Sequence, residues 1–172
     1  MFSRSSSQNS KKNIEPNVEN NFMPSVHSLA MMHNPDLTGT YILNRNDINI
    51  WAMRDFLDRY DHVKNALWFP VPNGGFEAYF VQDGYGVRIL YDKNGGWQMS
   101  LITYNEDKLP DEIKTGIKCT YYDWHIAMVE EVHTNEGFEY IVIVEDQSKI
   151  RVLRVSKEGL MEELQDLKKQ SK

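Results

Sequence analysis

The fold of this chain is decided by the stretch Phe76-Glu77-Ala78-Tyr79-Phe80-Val81 and the segments after it, Asp83-Gly84 and Val87-Arg88-Ile89-Leu90-Tyr91. The first, third and fifth residues of the first stretch are apolar, which is the pattern of a strand with two unlike faces. Asp83-Gly84 favours a tight hairpin because both residues tolerate positive φ. The sequence therefore predicts an antiparallel hairpin, which a turn at 92–96 and a third strand at 97–104 extend.

A helix over residues 47–61 is predicted before this hairpin. Ile50, Met53 and Tyr60 recur at helical spacing, and charged residues occupy the opposite side. Asn46 or Asp47 would cap the first turn, because a short polar side chain can accept from free backbone N–H groups. A short extended segment, 66–71, connects the helix to the hairpin.

The second half of the chain predicts the same order of elements. Leu109-Pro110-Asp111-Glu112 opens a helix, because proline and acidic residues suit a first helical turn. Three strands are predicted over 124–132, 138–144 and 150–155. A short closing helix is predicted over 159–169, where Leu160, Leu164 and Leu167 would share one face.

An internal repeat supports this division. Gly137-Phe138-Glu139 repeats Gly75-Phe76-Glu77 at a distance of 62 residues, and Ile150-Arg151-Val152-Leu153 repeats Val87-Arg88-Ile89-Leu90 at 63. Such a unit, one helix beside an antiparallel meander, is too small to fold well alone. We therefore predict an α+β fold in which two tandem repeats share or pack one sheet, with the helices on one face.

The predicted boundaries are a tail at 1–38, a first repeat at 39–107 and a second repeat at 108–172 that includes the closing helix. The tail is rich in Ser and Asn and lacks sustained periodicity, so it buries too little apolar surface to offset its ordering entropy. Only residues 22–33 are apolar enough to dock on the body or to bind another molecule.

Several segments of the first half resemble the tandem PepSY-like proteins, also called beta-lactamase-inhibitor-like for their fold. They are the helix that ends at Tyr60, the strand Ala66-Leu67-Trp68, the segment 75–80, and the segment 87–97 with its turn Asp92-Lys93-Asn94-Gly95-Gly96. The resemblance covers roughly residues 47–165, and the second copy has Ser156-Lys157-Glu158-Gly159 at the corresponding turn. Such proteins are typical of Bacteroidetes and usually exported to the periplasm, so the resemblance implies a binding module without established chemistry.

Composition restricts the function further. The chain has 172 residues, one cysteine and a formal net charge of −6, and no apolar run is long enough to span a membrane. This charge argues against binding nucleic acid, and one cysteine excludes an internal disulfide framework. No signal peptide is visible in the chain, so an exported location rests on the family resemblance.

Groups that could carry chemistry are sparse, and we predict no catalytic site, no metal site and no cofactor. His62, His125 and His133 lack the spacing of a metal site and are expected to be exposed or hydrogen-bonded. Cys119 is expected to be a small buried filler, because no neighbouring base is indicated. Glu130 and Glu131 are expected to be solvated.

The candidate binding surface is the sheet face that the helices leave open. It is predicted to carry Glu77, Tyr79, Val81, Glu139, Ile141 and Ile143. Exposed aromatic and aliphatic side chains edged by carboxylates suit a protein or peptide partner. We therefore expect a non-enzymatic exported binding module that is a monomer or small oligomer. The alternatives are a cytoplasmic interaction or regulatory protein with residues 1–38 as a docking arm, and a hydrolase or metal-dependent enzyme.

Overall fold

The computed structural model describes residues 42–169, apart from the side chain of Asn73. The tail predicted at 1–38, including the apolar segment 22–33, lies outside the described residues.

Residues 42–169 form one antiparallel sheet of eight strands and two α-helices, which confirms the α+β class. The strands lie in the sheet in their order along the chain, and every neighbouring pair is antiparallel. The helices are α1 (Ile50–Arg59) and α2 (Asp111–Thr120); the strands are β1 (Leu67–Val71), β2 (Gly75–Gln82), β3 (Tyr85–Tyr91), β4 (Trp97–Tyr104), β5 (His125–Thr134), β6 (Gly137–Glu145), β7 (Lys149–Ser156) and β8 (Met161–Lys168). Each helix is therefore followed by four strands.

Both helices pack against the same face of the sheet. Ala52 and Phe56 of α1 contact a core that includes Trp68, Phe80 and Ile89. On α2, Ile113 and Ile117 contact a second core, which is made mainly of the aliphatic side chains Ile126, Val129, Val142, Val144, Leu153 and Val155. The sheet register shows that the two cores lie on one face. A row of paired residues runs from Val87 of the first core through Ile102 to Tyr140 of the second. The prediction that the helices lie on one face is confirmed.

The start of α1 differs from the prediction. Asn49 is the capping residue, and its side-chain oxygen accepts a hydrogen bond of 2.8 Å from the backbone N–H of Trp51. Residues Arg45–Asp47 form a separate turn of 3-10 helix, so neither Asn46 nor Asp47 caps α1. The start of α2 agrees with the prediction in its acidic residues, because Asp111 and Glu112 lie in the first turn, but Pro110 is the capping residue before the helix and not part of that turn.

The predicted closing helix at 159–169 is wrong, because this segment forms strand β8. The leucine spacing is compatible with a helix, but the free edge of β7 supplies a partner strand whose charges match those of β8. Arg151 lies 2.9 Å from Glu163, Lys149 lies 2.9 Å from Asp166, and Arg154 lies 3.3 Å from Glu162. Cross-strand pairs of opposite charge stabilise a sheet, and a charged edge strand also opposes aggregation.

Candidate binding surface

The six residues predicted for the binding surface share the sheet face opposite the helices, which we call the helix-free face. The register connects β2 to β6 across this face, because one row of paired residues runs from Tyr79 through Arg88, Leu101 and Val132 to Glu139. Side chains two positions apart on a strand point to the same face. The face therefore carries Glu77, Tyr79, Val81, Glu139, Ile141 and Ile143.

The middle of the helix-free face is apolar. Leu90, Met99, Leu101, Val132, Ile141 and Val152 lie on it, and all are buried. Within residues 42–169 no helix packs on this face, since α1 and α2 belong to the cores of the other one. A sheet with one solvated face normally alternates apolar with polar residues. This sheet instead has two apolar faces, and its helix-free face has the composition of a protein core.

The six predicted residues differ in exposure. Glu77 and Ile141 are buried, whereas Tyr79, Glu139 and Ile143 are half-buried. Val81, near the end of β2, is 64% exposed. Sequence reasoning placed these residues on one face, but it treated them as equally accessible.

A buried ion pair lies within this apolar surface. The guanidinium of Arg88 donates from Nε to Oε1 of Glu77 at 2.9 Å and from Nη2 to Oε2 at 2.7 Å. Both side chains are about nine-tenths buried, with exposed fractions of 11% for Arg88 and 9% for Glu77. The third nitrogen, Nη1 of Arg88, is also buried and has no hydrogen-bond partner among residues 42–169. Two-point pairing of this kind fixes the guanidinium in one orientation.

Glu130 is another acidic group of the helix-free face, and it is almost completely buried, so the expectation that it is solvated is wrong. It pairs with Thr103 across β4 and β5, and the Thr103 hydroxyl donates to Oε1 of Glu130 at 3.3 Å. Burial raises the pKa of Glu130, while the charge of Arg88 opposes that rise. The burial of Glu130 was not predicted, because two adjacent glutamates are typical of a solvent-exposed segment.

Glu131, the next residue, lies on the helix side of the sheet. Its carboxylate accepts from the Tyr104 hydroxyl at 2.6 Å and lies 2.9 Å from Nε2 of His133. The hydrogen bond with His133, assisted by that of Tyr104, holds the pKa of Glu131 below its ordinary value. Burial and the neighbouring Glu131 raise the pKa of Tyr104. Two adjacent carboxyl groups therefore lie in opposite electrostatic surroundings, one on each face.

The second half contributes a looser set of charges to the helix-free face. Nε of Arg154 lies 3.4 Å from Oε1 of Glu139, and neither of these buried atoms has a hydrogen bond of good geometry. The Arg154 side chain is 35% exposed and also approaches Glu162 on the edge strand. The tight ionic contact on this face therefore belongs to the first half.

The remaining candidate groups do not assemble a reactive centre among the described residues. His62 hydrogen-bonds Gln82, and His125 is exposed at 3.8 Å from Glu106. Cys119 is exposed, so the expectation of a buried filler is wrong: it lies on the outer surface of α2 beside Lys118 and Tyr122. Within 42–169 no three metal-ligating side chains converge, and no helix there is long and apolar enough to cross a membrane.

No family model and no curated protein matches this chain. Solved structures do. A BLIP-like protein of Bacteroides fragilis is 20% identical, with a TM-score of 0.62 over 79% of this chain and 95% of that one. A DUF2874 family protein of Bacteroides ovatus is 17% identical, with a TM-score of 0.61 over 70% and 87%. A Bacteroides eggerthii protein, provisionally designated periplasmic, is 15% identical, with a TM-score of 0.59 over 70% and 88%. These similarities show that the chain has a beta-lactamase-inhibitor-like (BLIP-like) fold.

The buried charges of the helix-free face, Arg88 and Glu130, were missed by sequence reasoning. A signal for Arg88 was present. Arg88 lies between the apolar residues Val87 and Ile89 on its strand, so its side chain points to the opposite face of the sheet, which is the face that carries Glu77. The exposure of each group could not be read from the sequence. It depends on what lies above the face, and that is not a property of a strand's own pattern.

Proposed function

We propose that this chain is an exported, non-enzymatic binding module that holds a segment of a protein or peptide partner against its helix-free face. The composition of that face carries the proposal. The interior of the face is apolar, and Val81, Tyr79 and Ile143 at its margin keep solvent-exposed area that a partner could bury, at about 25 cal/mol for each Å² removed from water. No helix within 42–169 packs on this face.

The chemistry of the surface supports binding rather than catalysis. Its buried charged groups already have hydrogen-bond partners, since Glu77 pairs with Arg88 and Glu130 accepts from the Thr103 hydroxyl. A catalytic centre usually presents a free nucleophile, base or metal in a cleft. The helix-free face instead presents fixed charges within branched and aromatic side chains, which suits the recognition of a complementary surface.

Export to the periplasm is the second part of the proposal. It is supported by the resemblance to tandem PepSY-like proteins and by the similarity to the Bacteroides eggerthii structure with a periplasmic designation. The same resemblance supports two tandem repeats within a single sheet. The proposal does not include inhibition of a beta-lactamase, because a fold shared at 20% identity or less does not carry a partner with it.

A site-specific photo-cross-linking experiment tests the binding face in the cells that produce the protein. A benzophenone amino acid replaces Tyr79 at the margin of the helix-free face, or Thr115 on the exposed surface of α2 as the matched control. The proposal predicts one discrete cross-linked partner from position 79 and none from position 115. The Val81→Asp substitution, at an exposed position of the same face, should abolish that product. Equal products from both positions would contradict the proposal.

Cell fractionation with an intact mass tests the location. The proposal predicts a periplasmic or envelope pool. A pool confined to the cytosol would contradict export and favour the interpretation as a cytoplasmic interaction protein, whose partner would then be sought in that compartment.

A further inference from the structure

The first half of the sheet has an open corner at the end of β2, and an inference drawn from it rests on the proposed function, because the corner adjoins the margin of the helix-free face. Strand β1 pairs with β2 only from Gly75 to Tyr79, whereas β2 continues to Gln82 in its pairing with β3. In the second half, the corresponding strand β6 is paired with both neighbours as far as Glu145. Among residues 42–169, the end of β2 therefore lacks a partner strand on one side.

The backbone direction of Val81 follows from the hydrogen bonds of β1. The N–H of Leu43 donates to the carbonyl oxygen of Trp68 at 2.8 Å, so the backbone groups of Trp68 point away from β2. Neighbouring residues of a strand direct their backbone groups to opposite sides, so those of Leu67 point to Tyr79 on β2. Two residues farther along β2, the N–H and C=O of Val81 point past the beginning of β1, and no residue within 42–169 bonds them.

A cavity of about 330 Å³ lies beside these two backbone groups. Its walls are residues 62–65, which follow α1, and residues 80–82 at the end of β2. The Val81 side chain is 64% exposed, and His62 and Gln82 are also exposed, so the open corner is accessible to another molecule. Binding pockets span about 300–1,000 Å³, so this volume suits a short segment of a partner. An exposed strand edge with unpaired backbone groups is a template for an added strand.

The charges around the cavity favour an uncharged segment. Lys64 lines the cavity and opposes a cation. The imidazole of His62 lies 2.9 Å from the side-chain oxygen of Gln82 and 3.4 Å from Asp61. The hydrogen bond with Gln82, together with the charges of Asp61 and Asp83, raises the pKa of His62, and the same two carboxylates oppose an anion. Neither sign of charge is favoured at the open corner.

We propose that the open corner of β2 binds an extended, uncharged peptide segment of the partner as an added strand in line with β1. One residue of the segment lies opposite Val81, donates its N–H to the Val81 carbonyl and accepts from the Val81 N–H, as in an antiparallel pair. Its side chain is apolar and packs on the exposed Val81 side chain, because directly paired residues point to the same face.

Selection of peptides on the intact full-length chain supplies the probe. A phage-displayed library of random peptides is panned on the immobilised wild type. The inference predicts retained peptides that are poor in charged residues and carry a β-branched or aromatic residue at one position. Enrichment of Asp, Glu, Lys or Arg at that position would overturn it. If the wild type retains no peptide, the proposed function fails and this inference fails with it.

Backbone N-methylation, placed at one residue at a time in a synthetic copy of a retained peptide, tests the added strand. Methylation of the residue opposite Val81 removes the N–H that donates to the Val81 carbonyl, so binding should weaken about tenfold. Methylation of either adjacent residue should have little effect, because those N–H groups point away from β2. Equal losses at every position, or no loss at any, would overturn the added strand, although the retained peptide would still support the proposed function.

A pair of proline variants tests the same contact from the protein. Val81→Pro removes the outward N–H and keeps an apolar side chain, and this N–H takes no part in the pairing with β3. Affinity for the peptide should fall about tenfold. Lys168→Pro is the control at the opposite edge of the sheet: the N–H of Lys169 bonds Ser148 on the β7 side, so that of Lys168 points outward. Lys168→Pro should retain the wild-type affinity, and equal affinities of the two variants would overturn the assignment of Val81.

Amide hydrogen exchange of the wild type needs no substitution and keeps the inference testable if Val81→Pro does not fold. The Val81 N–H should exchange rapidly in the free chain and about tenfold more slowly with the peptide bound. Unchanged exchange at Val81 on binding would overturn the inference. If sedimentation shows a dimer that Val81→Pro dissociates, a second copy of the chain occupies the open corner, and the proposal of a peptide partner is overturned.

Discussion

The two halves of the sheet have the same order of elements but different interiors. The core beneath α1 is aromatic, with Phe56 in contact with Trp68 and Phe80 at ring-centroid distances of 5.3 and 6.0 Å. The core beneath α2 is mainly aliphatic, with Ile117 among Val129, Val142 and Leu153. Two side-chain chemistries therefore fill the same helix-on-sheet architecture. The order of elements depends on the polar and apolar pattern, and the choice of apolar residue is free as long as the volume is filled.

The turn before the last strand of each half shows the opposite situation, in which different residues make the same contacts. Oδ1 of Asp92 accepts from the backbone N–H groups of Asn94 and Gly96, and Oγ of Ser156 accepts from those of Glu158 and Leu160. The backbone also closes in the same way, since Gly95 bonds Asp92 and Gly159 bonds Ser156. A serine hydroxyl therefore replaces a carboxylate without changing the turn.

Truncation of the central residue of each core has the largest expected effect. Phe56→Ala should reduce the free energy of unfolding by about 4 kcal/mol, because it removes a buried ring and leaves a cavity. Ile117→Ala should reduce it by about 3 kcal/mol, because fewer buried atoms are lost. Urea unfolding of both variants measures the difference. A smaller loss for Phe56→Ala than for Ile117→Ala would show that the aromatic core is the more tolerant one.

The next largest expected difference in stability between the two halves comes from removing one arginine of the helix-free face in each half. Arg88→Met should reduce stability by about 3 kcal/mol, because it leaves the Glu77 carboxylate buried and unpaired. Arg154→Met should change stability by about 0.5 kcal/mol, because that side chain is partly solvated. The double variant E77L/R88M should recover most of the loss in urea unfolding. Equal losses from the two single variants would refute the contrast between a buried and a solvated pair.

Substitution of the glycine at the corresponding turn of each half should give a smaller difference in stability. Gly95 and Gly159 have φ values of 86° and 85°, but a Cβ at Gly95 would lie 2.6 Å from the backbone nitrogen of Ala52, whereas one at Gly159 would meet nothing nearer than 3.9 Å. Gly159→Ala should reduce stability by about 1 kcal/mol through backbone strain alone. Gly95→Ala should reduce it by about 2 kcal/mol, because the turn must also separate from α1. Thermal unfolding that ranks the two variants in the reverse order would contradict the close packing at α1.

The smallest effect concerns the adjacent carboxyl groups Glu130 and Glu131. The lowered pKa of Glu131 stabilises the fold above the ordinary carboxyl value of 4.5, and this contribution is lost as pH falls through that region. The raised pKa of Glu130 has the opposite sign, so wild-type stability declines as pH rises from 4.5 through the folded-state value. Relative to the wild type, Glu131→Gln should lose stability as pH rises from the lowered folded-state pKa to 4.5, and this deficit should then stay constant. Glu130→Gln should gain stability relative to the wild type as pH rises above 4.5. Unfolding free energies measured below and above pH 4.5 check the two signs; a Glu131→Gln curve parallel to wild type below 4.5, or a Glu130→Gln curve parallel to it above 4.5, would refute the assignment.

Much of the fold could be predicted from the sequence, because strand alternation and turn residues are local signals. Strand 97–104 was predicted with its observed ends, and the Asp83-Gly84 hairpin has the expected positive φ values of 51° and 78°. The last strand could not be predicted in this way. Residues 161–168 carry leucines at helical spacing, and their structure depends on pairing with β7, which is a non-local contact.

The candidate binding surface was predicted in outline only. Strand parity placed Glu77 and Glu139 on one face, because that property needs only a count of residues. The burial of Glu130 and the contact between Arg88 and Glu77 depend on the register of neighbouring strands and on the cover of the face. These are properties of the assembled sheet, and they cannot be predicted from the local pattern of a single sequence.

The central claim is that the helix-free face, and not the helical side, is the binding surface. The most direct test is to map a peptide selected on the full-length chain by methyl NMR of that chain. We predict the largest shift changes at the methyl groups of Val81 and Ile143, which keep exposed area on that face, with none at Ile113 or Ile117 beneath α2. Changes confined to the helical side, or to the exposed indole of Trp51 on α1, would contradict the claim and move the binding surface to the other face of the sheet.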